Sequence, residues 1–523
     1  KLFLSSAAVI GALTPPLLLL RIQSAHGKSN AIFPSSSSSS SSSRSTRHLS
    51  PSQRQEDTAA EISRIASELN DSGIHGIAIP LNYARLSSNQ GNEQQLSVAL
   101  RISGEEDVQN LLIDTGSSSL AFCDSAFAKV ASEKHLKTDY AQCNLYGVPR
   151  ECPDDGNSKG YASSWVGSVY KGNVNVFNTI NQKEVATLKD VNYAIMDEES
   201  FYPCDGPLDG IFGVAFSALN SAWDMPAASF QFSEMLTTEC TNKYDQKIVN
   251  CNVKGMSSTS LKPPLEQALK QSVESGEDHS DAFGLYCDYA ATMDAKADQG
   301  VLGLGMFFGG DLALENDYYK KGTPLIAKLA SYERWYTLNL QKIRMPTMNQ
   351  SLDYKGYCDP STPNCYTDSG TSGIWLPIAK SYCESLLNAT KEELEGDLLI
   401  DLEGGDDGET ITLKFPLVWV LEQAVNGRIR FTDPEDDNGR FVLGFPTFQH
   451  YYIVYDLGKA TVAFVNIEQK EYDDDVSSGE LGAMEENEWV CAGDTETAGA
   501  ISKHGVTNIS SVLGLLLFTF FSF

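Results

Sequence analysis

Two short stretches decide the fold of this 523-residue chain: Leu111-Leu112-Ile113-Asp114-Thr115-Gly116-Ser117-Ser118 and Asp368-Ser369-Gly370-Thr371-Ser372. In each stretch an Asp is followed by a hydroxyl residue, a Gly and a second hydroxyl residue. Gly allows a tight turn that brings a backbone N–H toward the carboxylate. The second hydroxyl, from Ser117 or Thr371, is placed to donate a hydrogen bond to the Asp of its own stretch. Each stretch therefore predicts a carboxylate held at the tip of a turn.

A second pair of motifs follows the first pair in the same order. Asp209-Gly210-Ile211-Phe212-Gly213 comes after the first Asp, and Phe441-Val442-Leu443-Gly444 comes after the second. An order repeated in this way indicates two related lobes. Short β-prone runs that alternate with period two, such as Leu96–Ile102, predict that both lobes are mainly β. Few helices are expected, one of them around Pro264–Val273.

The two aspartates suit one kind of chemistry if the lobes face each other and Asp114 and Asp368 share a site. Two carboxylates that close cannot both ionise easily, so the pair holds one proton and titrates as a unit. One carboxylate then acts as a base toward a water molecule, while the protonated one polarises a carbonyl group. A single Asp-Thr-Gly-Ser is an ordinary turn sequence. Two copies, each followed by an apolar-apolar-Gly element, favour the paired-aspartate interpretation.

Over Ile77–Ile467 the sequence resembles the pepsin-like aspartic proteases, because it carries both Asp motifs and both apolar-Gly motifs. The resemblance implies a mainly β, bilobal acid-protease fold with an active-site cleft between its lobes. It also implies an aspartic-type endopeptidase activity that needs no cofactor. The catalytic pair would be Asp114 and Asp368, and the supporting residues would be Thr115, Gly116, Ser117, Ser369, Gly370 and Thr371. In the family, the hydroxyls at the positions of Thr115 and Ser369 brace the two loops against each other. Weaker matches are Phe307–Asp311, Trp335-Tyr336, Trp375-Leu376-Pro377 and Tyr451–Phe464.

The family also folds a β-hairpin, the flap, over its cleft, and a flap Tyr forms a hydrogen bond within the site. Tyr161–Gly167 is the matching segment, with Tyr161 as the expected flap Tyr and Trp165 as its partner. Tyr140 and Tyr146 are alternatives for the same role. Packing within a hairpin is the competing explanation for such aromatic residues.

The sequence departs from the family pattern in several places. Cys365-Tyr366-Thr367 stands where the family usually places apolar residues before the second Asp. Cys123–Gly160 and Thr237–Ser260 have the appearance of insertions. Because the first of them precedes the flap segment, we expect it to alter the entrance to the cleft.

Both ends of the chain are typical of targeting segments. Leu2–Leu20 is apolar and small residues follow it, which is the pattern of a signal peptide. At the other end, small residues, a polar spacer and a short apolar tail match a GPI-attachment signal, with a marginal transmembrane tail as the alternative. This tail makes the membrane-tethered family members, β-secretase and the yapsins, the nearer resemblance. The predicted organisation is a signal peptide (1–27), a Ser-rich segment with the propeptide candidate (28–76), an N-terminal lobe with insertions (77–320), a C-terminal lobe (321–470), an acidic stalk (471–500) and the C-terminal signal or tail (501–523).

The charge balance argues against two classes of partner. Lys and Arg total 39 against 69 Asp and Glu, which gives a formal net charge of −30. Nucleic acid and anionic lipid are therefore poor ligands. We expect a monomer that binds polypeptide substrates and contacts the membrane only through its C-terminal anchor.

The 11 cysteines indicate an oxidising compartment of the secretory pathway or the cell surface. Proximity along the chain predicts three local disulfides, Cys143–Cys152, Cys240–Cys251 and Cys358–Cys365. No zinc-type spacing of Cys or His is present in the sequence, so no metal site is expected. N-glycosylation sequons occur at Asn70, Asn349, Asn388 and Asn508.

Two other hypotheses compete with an active protease. A catalytically silent pepsin-like surface protein would bind peptides or inhibit proteases, but both Asp motifs are intact, which favours the enzyme. A purely structural surface glycoprotein leaves the repeated order of motifs unexplained. A serine or cysteine hydrolase has no Gly-x-Ser-x-Gly motif in this sequence.

Overall fold

The chain folds mainly as β-structure, as the alternating sequence pattern predicts. All the described residues belong to one compact unit, Leu49–Phe523. The predicted signal peptide, Ser-rich segment, acidic stalk and C-terminal tail lie outside them. The computed structural model describes residues 77–88, 91–123, 136–146, 150–151, 159–160, 163–177, 183–200, 204, 208–224, 235–241, 247–251, 256–267, 282–287, 304–308, 323–331, 334–358, 364–405, 408–432, 434 and 439–466.

Most strands are short, and the longest two, β9 and β10, pair antiparallel as a hairpin. Up to residue 260 they are β1 (Ile77–Pro80), β2 (Asn82–Ser88), β3 (Gly91–Ile102), β4 (Gln109–Asp114), β5 (Leu120–Cys123), β6 (Leu136–Tyr146), β7 (Arg150–Glu151), β8 (Lys159–Gly160), β9 (Ser163–Phe177), β10 (Glu184–Ser200), β11 (Gly210–Gly213), β12 (Ser221–Asp224), β13 (Leu236–Thr241), β14 (Lys247–Cys251) and β15 (Ser258–Ser260). The later strands are β16 (Ala282–Cys287), β17 (Leu304–Phe308), β18 (Leu325–Ser331), β19 (Thr337–Leu338), β20 (Leu340–Met345), β21 (Gln350–Asp353), β22 (Cys365–Thr367), β23 (Ile374–Leu376), β24 (Asp397–Glu403), β25 (Thr410–Pro416), β26 (Ile429–Phe431), β27 (Phe441–Leu443), β28 (Tyr451–Asp456) and β29 (Thr461–Asn466).

Helices are few and most follow the second Asp motif. The helices whose full bounds lie in the described residues are α1 (Lys380–Leu387), α2 (Lys391–Leu394), α3 (Leu417–Val425) and α4 (Phe445–His450), with 3₁₀ turns at Ser217–Leu219 and Pro346–Met348. A capping box, in which Thr390 and Glu393 bond each other's backbone N–H, begins α2. Of the helix expected around Pro264–Val273, residues 264–267 are helical and the rest lies outside the described residues.

The first Asp motif lies in a ten-stranded sheet built from 82–260. Its order is β15-β12-β6-β9-β10-β5-β11-β4-β3-β2, and a further pairing joins β9 to β3. Within it, β11 runs parallel to β4 and antiparallel to β5, so it lies between the two strands that flank the Asp motif. The apolar-Gly motif of the first half is therefore the neighbour of its Asp strand.

The second Asp motif repeats this arrangement in an eleven-stranded sheet. The order is β1-β17-β16-β28-β29-β18-β19-β22-β27-β23-β26. Here β27 runs parallel to β22 and antiparallel to β23, which are the strands on either side of the motif. Three strands from the predicted N-terminal lobe, β1, β16 and β17, also belong to this sheet. A four-stranded sheet, β21-β20-β24-β25, and the hairpins β13-β14 and β7-β8 complete the strand pairing of the described residues.

A continuous apolar core connects strands of both large sheets. Phe283 stacks on Tyr455 with ring centroids 4.7 Å apart, and Tyr336 lies 4.3 Å from the same ring. All three side chains are fully buried. Aromatic pairs at these distances add packing energy to the burial of their area. The cluster therefore stabilises the core beneath the second Asp motif.

Three disulfides connect described cysteines, and two of the three predicted pairings are wrong. Cys358–Cys365 is confirmed. Cys143 pairs with Cys251 instead of Cys152, and Cys251 therefore does not pair with Cys240. The reason is that β14 folds back onto β6, which brings residues 108 positions apart into contact. The third bond joins Cys123 to Cys204. Disulfides of this number suit an extracellular or secretory protein.

Within the described ranges, no helix combines the length and the apolar character that crossing a bilayer requires. Two of the predicted sequons, Asn349 and Asn388, lie at exposed positions after a 3₁₀ turn and at the end of α1.

The buried His450 at the end of α4 makes folding stability pH-dependent. Its ring packs edge-on against Trp419, with centroids 4.0 Å apart, and burial lowers the pKa of His450 to about 3. The unfolded chain binds this proton near pH 6.5 and the folded chain does not, so acid favours unfolding.

We expect His450→Leu to reduce the loss of stability in acid. Between about pH 7 and pH 4, the wild-type free energy of unfolding should fall more than that of the variant, by about 2–3 kcal/mol. Urea unfolding at both pH values measures this difference. Equal losses in the two proteins would contradict it.

Candidate active site

The two aspartates come from equivalent positions in the two repeated arrangements and meet. Asp114 ends β4, and Asp368 follows β22 directly. Their carboxyl groups are close neighbours: a Cβ added at Gly370 would lie within 3.3 Å of an oxygen of each. The loops are equally close: a Cβ added at Gly116 would lie 2.7 Å from Asp368 Cγ, and one at Gly370 would lie 2.5 Å from Asp114 Oδ1. Gly is therefore required in both motifs because the opposite carboxylate occupies the space of a side chain.

Reciprocal hydrogen bonds lock the two loops together. Ser369 Oγ accepts from the Thr115 N–H at 3.0 Å, and Thr115 Oγ1 accepts from the Ser369 N–H at 2.9 Å. Each hydroxyl donates onward to the strand of the other motif, Ser369 to the Ile113 carbonyl at 2.8 Å and Thr115 to the Thr367 carbonyl at 3.3 Å. Thr115 and Ser369 are fully buried. These four bonds hold the distance between the carboxylates.

The supporting residues donate more hydrogen bonds to Asp368 than to Asp114. Asp368 accepts from the Gly370 N–H at 2.9 Å and from the Thr371 hydroxyl at 2.6 Å. Asp114 accepts from the Gly116 N–H at 2.7 Å. The buried Ser117 hydroxyl makes no hydrogen bond of standard geometry among the described residues, although it lies close enough to favour ionised Asp114. The predicted symmetry of Ser117 and Thr371 is therefore incomplete.

Burial controls the protonation of Asp114. Its side chain is 6% exposed. Burial first, and the neighbouring Asp368 second, raise the pKa of Asp114 well above its usual value, while the Ser117 hydroxyl and the Gly116 N–H oppose the rise. The pair therefore retains a proton at a pH where a solvated Asp has lost it.

The apolar-Gly strands pass across the backs of the two loops. A Cβ at Gly213 would lie 2.5 Å from the Ser118 N, and one at Gly444 would lie 2.0 Å from the Gly373 carbonyl oxygen. The chain then bonds to the loops directly: Val214 N–H donates to the Asp114 carbonyl at 2.9 Å, and Asp368 N–H donates to the Leu443 carbonyl at 3.0 Å. The Gly of each motif is required by this close approach.

A polar contact explains the unusual Thr367 before the second Asp. Thr367 is fully buried, and its Oγ1 accepts from the hydroxyl of Tyr455 at 3.0 Å. The aromatic cluster beneath the site supplies this partner. Cys365, two residues earlier, is tied by its disulfide to Cys358. Thr367 and Cys365 therefore sit on a β-strand despite lacking the expected apolar character.

The flap prediction has a different outcome for each candidate Tyr. Trp165 is fully buried on β9, and its Nε1–H donates to the hydroxyl of Tyr146 on β6 at 2.8 Å. Burial raises the pKa of Tyr146, and the charge of Asp114 adds to the rise, so this hydroxyl lies near the carboxylate pair. Tyr161 lies outside the described residues. Tyr140 lies near the middle of β6, where it is paired in register with Asp224.

Other residues at the loops were matched only weakly by sequence or were missed. Trp335 Nε1–H donates to the Gly116 carbonyl at 2.8 Å, and the Tyr336 hydroxyl donates to the Val214 carbonyl at 2.5 Å. Gln95 Nε2 donates to the Gly370 carbonyl at 3.2 Å from β3. Of the segment Phe307–Asp311, Phe307 and Phe308 end β17 and the remainder is outside the described residues. Gln95 carries no motif that would have identified it.

Comparison of the sequence with models of known protein families finds no match, and comparison with curated proteins finds no significant match. The function is therefore inferred from the residues and their geometry.

The reciprocal hydroxyl bonds predict a large loss of stability when one hydroxyl is removed. Thr115→Val keeps the shape of the side chain but leaves the Ser369 N–H and the Thr367 carbonyl without this partner. A buried group left unsatisfied costs about 1–3 kcal/mol, and we expect a loss in this range from urea unfolding. Thr115→Ser retains the hydroxyl and is the matched control. A Thr115→Val variant as stable as Thr115→Ser would contradict the role of these bonds.

The raised pKa of Asp114 predicts that Asp114→Asn stabilises the fold as pH rises. A carboxyl group with a raised pKa contributes stability below the unfolded pKa near 3.9, and this contribution is lost as pH rises through the folded pKa. Asparagine has no such loss. We expect the free energy of unfolding of the variant to exceed that of the wild type by at least about 1 kcal/mol at pH 7 and by less at pH 4.

Thermal unfolding from about pH 4 to pH 7 tests this, with the exposed Asp107→Asn as control. A gain for Asp114→Asn that does not change with pH would contradict the prediction.

Proposed function

We propose that this chain is an aspartic-type endopeptidase with a pepsin-like bilobal fold. The observation that carries the proposal is the adjacent pair of Asp114 and Asp368, whose two loops come from repeated strand arrangements and are locked by reciprocal hydroxyl bonds. Two carboxyl groups sharing a proton supply an acid and a base at one point. Peptide hydrolysis requires that combination.

The hydrogen bonds favour a division of labour between the aspartates. Asp368 accepts two donated bonds, which favour its carboxylate form, and buried Asp114 is the better holder of the proton. Asp368 takes a proton from water as the water oxygen attacks the scissile carbonyl carbon. Asp114 donates its proton to the carbonyl oxygen, giving a tetrahedral intermediate. The nitrogen then takes a proton from Asp368 and the C–N bond breaks. As the carboxylic acid product forms, one hydroxyl of the tetrahedral intermediate returns its proton to Asp114.

Tyr146 supports a flap role in the same proposal. Its bond to Trp165 holds it on the β6–β9 hairpin near Asp114. A substrate strand lying beside the carboxylates would contact this hairpin. In the proposed enzyme Tyr146 takes the part that the resemblance assigned to Tyr161.

The proposal extends to the setting of the enzyme. We propose a monomer in the secretory pathway or at the cell surface, held at the membrane by its C-terminal signal and acting on polypeptides. The disulfides support an oxidising environment, and the net charge of −30 argues against nucleic acid as a partner.

The test is dyad-dependent cleavage of a mixed peptide library. We expect wild-type protein, incubated in acid to allow maturation, to cleave peptides between about pH 3 and pH 6, with activity falling as pH rises through the raised pKa of Asp114. A pepstatin-type inhibitor should block cleavage. Asp114→Asn and Asp368→Asn should each lower kcat/KM by at least about 10²–10⁴-fold.

Asp107→Asn, at an exposed position shortly before β4, is the matched control and should retain activity. Cleavage that survives both dyad substitutions would overturn the proposal. No cleavage at any pH by folded protein would favour the catalytically silent peptide-binding or inhibitor protein instead.

A further inference from the structure

An aromatic wall stands beside the carboxylate pair. It consists of Trp335 and Tyr366, whose rings stack with centroids 5.8 Å apart and planes 26° apart. Trp335 is tied to the first loop through its bond to the Gly116 carbonyl. Tyr366 precedes Asp368 by two residues on β22. Both residues are half-buried, so the wall touches both catalytic loops and keeps part of its surface open.

Arg440 extends the aromatic wall with a positive charge. It directly precedes β27, which pairs with β22 so that Phe441 lies opposite Cys365. Its carbonyl oxygen accepts a long hydrogen bond of 3.4 Å from the Thr432 hydroxyl, which fixes the backbone here. Tyr366 lies opposite Val442, two residues after Arg440, so the period-two alternation of side chains places Arg440 on the face that carries Tyr366. Burial and the charge of Asp368 raise the pKa of Tyr366, and the charge of Arg440 opposes the rise. Arg440 therefore lies beside the strand that leads into Asp368.

Among the described residues no carboxylate forms an ion pair with Arg440, unlike Arg344, which pairs with Asp401 at 2.6 Å. Arg440 is half-buried. A guanidinium in this position has lost some of its hydration without gaining a carboxylate from the described residues, which is unfavourable. A carboxylate that arrives with a ligand would remove the penalty, and the planar fork of Arg suits a carboxylate in a bidentate pair.

We propose that Arg440, Tyr366 and Trp335 form a substrate subsite for a carboxylate next to the scissile bond. The inference rests on the proposed endopeptidase function and adds the class of substrate. The carboxylate comes either from an Asp or Glu side chain or from the free C-terminus of a short peptide. The aromatic wall contacts the apolar part of that residue while Arg440 binds its charge.

The experiment compares kcat/KM for peptide pairs that differ only by Glu against Gln, scanned through each position around the cleavage site at about pH 5, where a Glu side chain is ionised. We expect a Glu preference of about 10-fold at one position, as for a charge-assisted hydrogen bond. Arg440→Met should abolish the preference, and Arg440→Glu should replace it with a preference for Lys over Gln. Peptides with a free or an amidated C-terminus separate the two sources of the carboxylate.

Arg430→Met is the matched control. Arg430 is another half-buried arginine of the same sheet and lies over the Trp375 ring, 5.7 Å from its centroid. This variant should keep the Glu preference. Cleavage that depends on Asp114 but shows no carboxylate preference, or a preference that Arg440→Met leaves intact, would overturn the subsite and leave the proposed function standing.

Equilibrium binding separates the subsite from the chemistry. Calorimetric titration of Asp114→Asn protein with the same Glu and Gln peptides requires no turnover. Tighter binding of the Glu peptide, lost when Arg440→Met is added, would support the subsite even if the wild type fails to cleave and the proposed function falls. Equal affinity for both peptides would overturn the subsite on its own.

Discussion

The reciprocal bonds between Thr115 and Ser369 are the constraint on which the site depends. Two carboxylates in contact repel each other once ionised, and only a rigid mount keeps them together. Each hydroxyl accepts a hydrogen bond from an N–H of the other Asp loop and donates its own proton to a strand carbonyl. Neither hydroxyl therefore has a proton left to donate elsewhere. Because both hydroxyls are fully buried, breaking one bond exposes a polar group to the core and not to water.

Much of this arrangement could be predicted from the sequence because it rests on local chemistry repeated twice. The mainly β fold follows from period-two alternation. The two Asp motifs predict tight turns with a backbone N–H close to the carboxylate. The equivalence of Ser117 and Thr371 fails, however, since only Thr371 reaches its carboxylate in a standard hydrogen bond. Sequence spacing alone carries no information on such small differences in side-chain position.

Longer-range pairing set the limit of prediction. Tyr161 is the nearest aromatic residue to Trp165 along the chain, yet Tyr146 holds its indole from the opposite strand of the hairpin. The disulfide of Cys143 was misassigned for the same reason, since its partner lies on a separate hairpin. Arg440 belongs to no motif and Tyr455 lies in a weak family match, and neither position along the chain indicates a neighbour on β22. Their closeness to Tyr366 and Thr367 arises only when β22, β27 and β28 share a sheet.

That shared sheet also has a consequence for how the protein is made. β1 pairs with β17, β17 with β16, and β16 with β28. The sheet that contains residues 77–80 is therefore incomplete until the strand that ends at Asp456 has been made. The ribosome exposes these segments in order, and the early ones have no complete sheet to join until nearly the whole folded region has been synthesised. Pairing over such separations is slow and leaves strand edges open meanwhile. A nascent chain of this design therefore carries β1, β16 and β17 without their full sheet until late in translation, whereas the ten-stranded sheet draws all its strands from residues 82–260. A C-terminal fragment that lacks β1, β16 and β17 would also lack three strands of its own sheet.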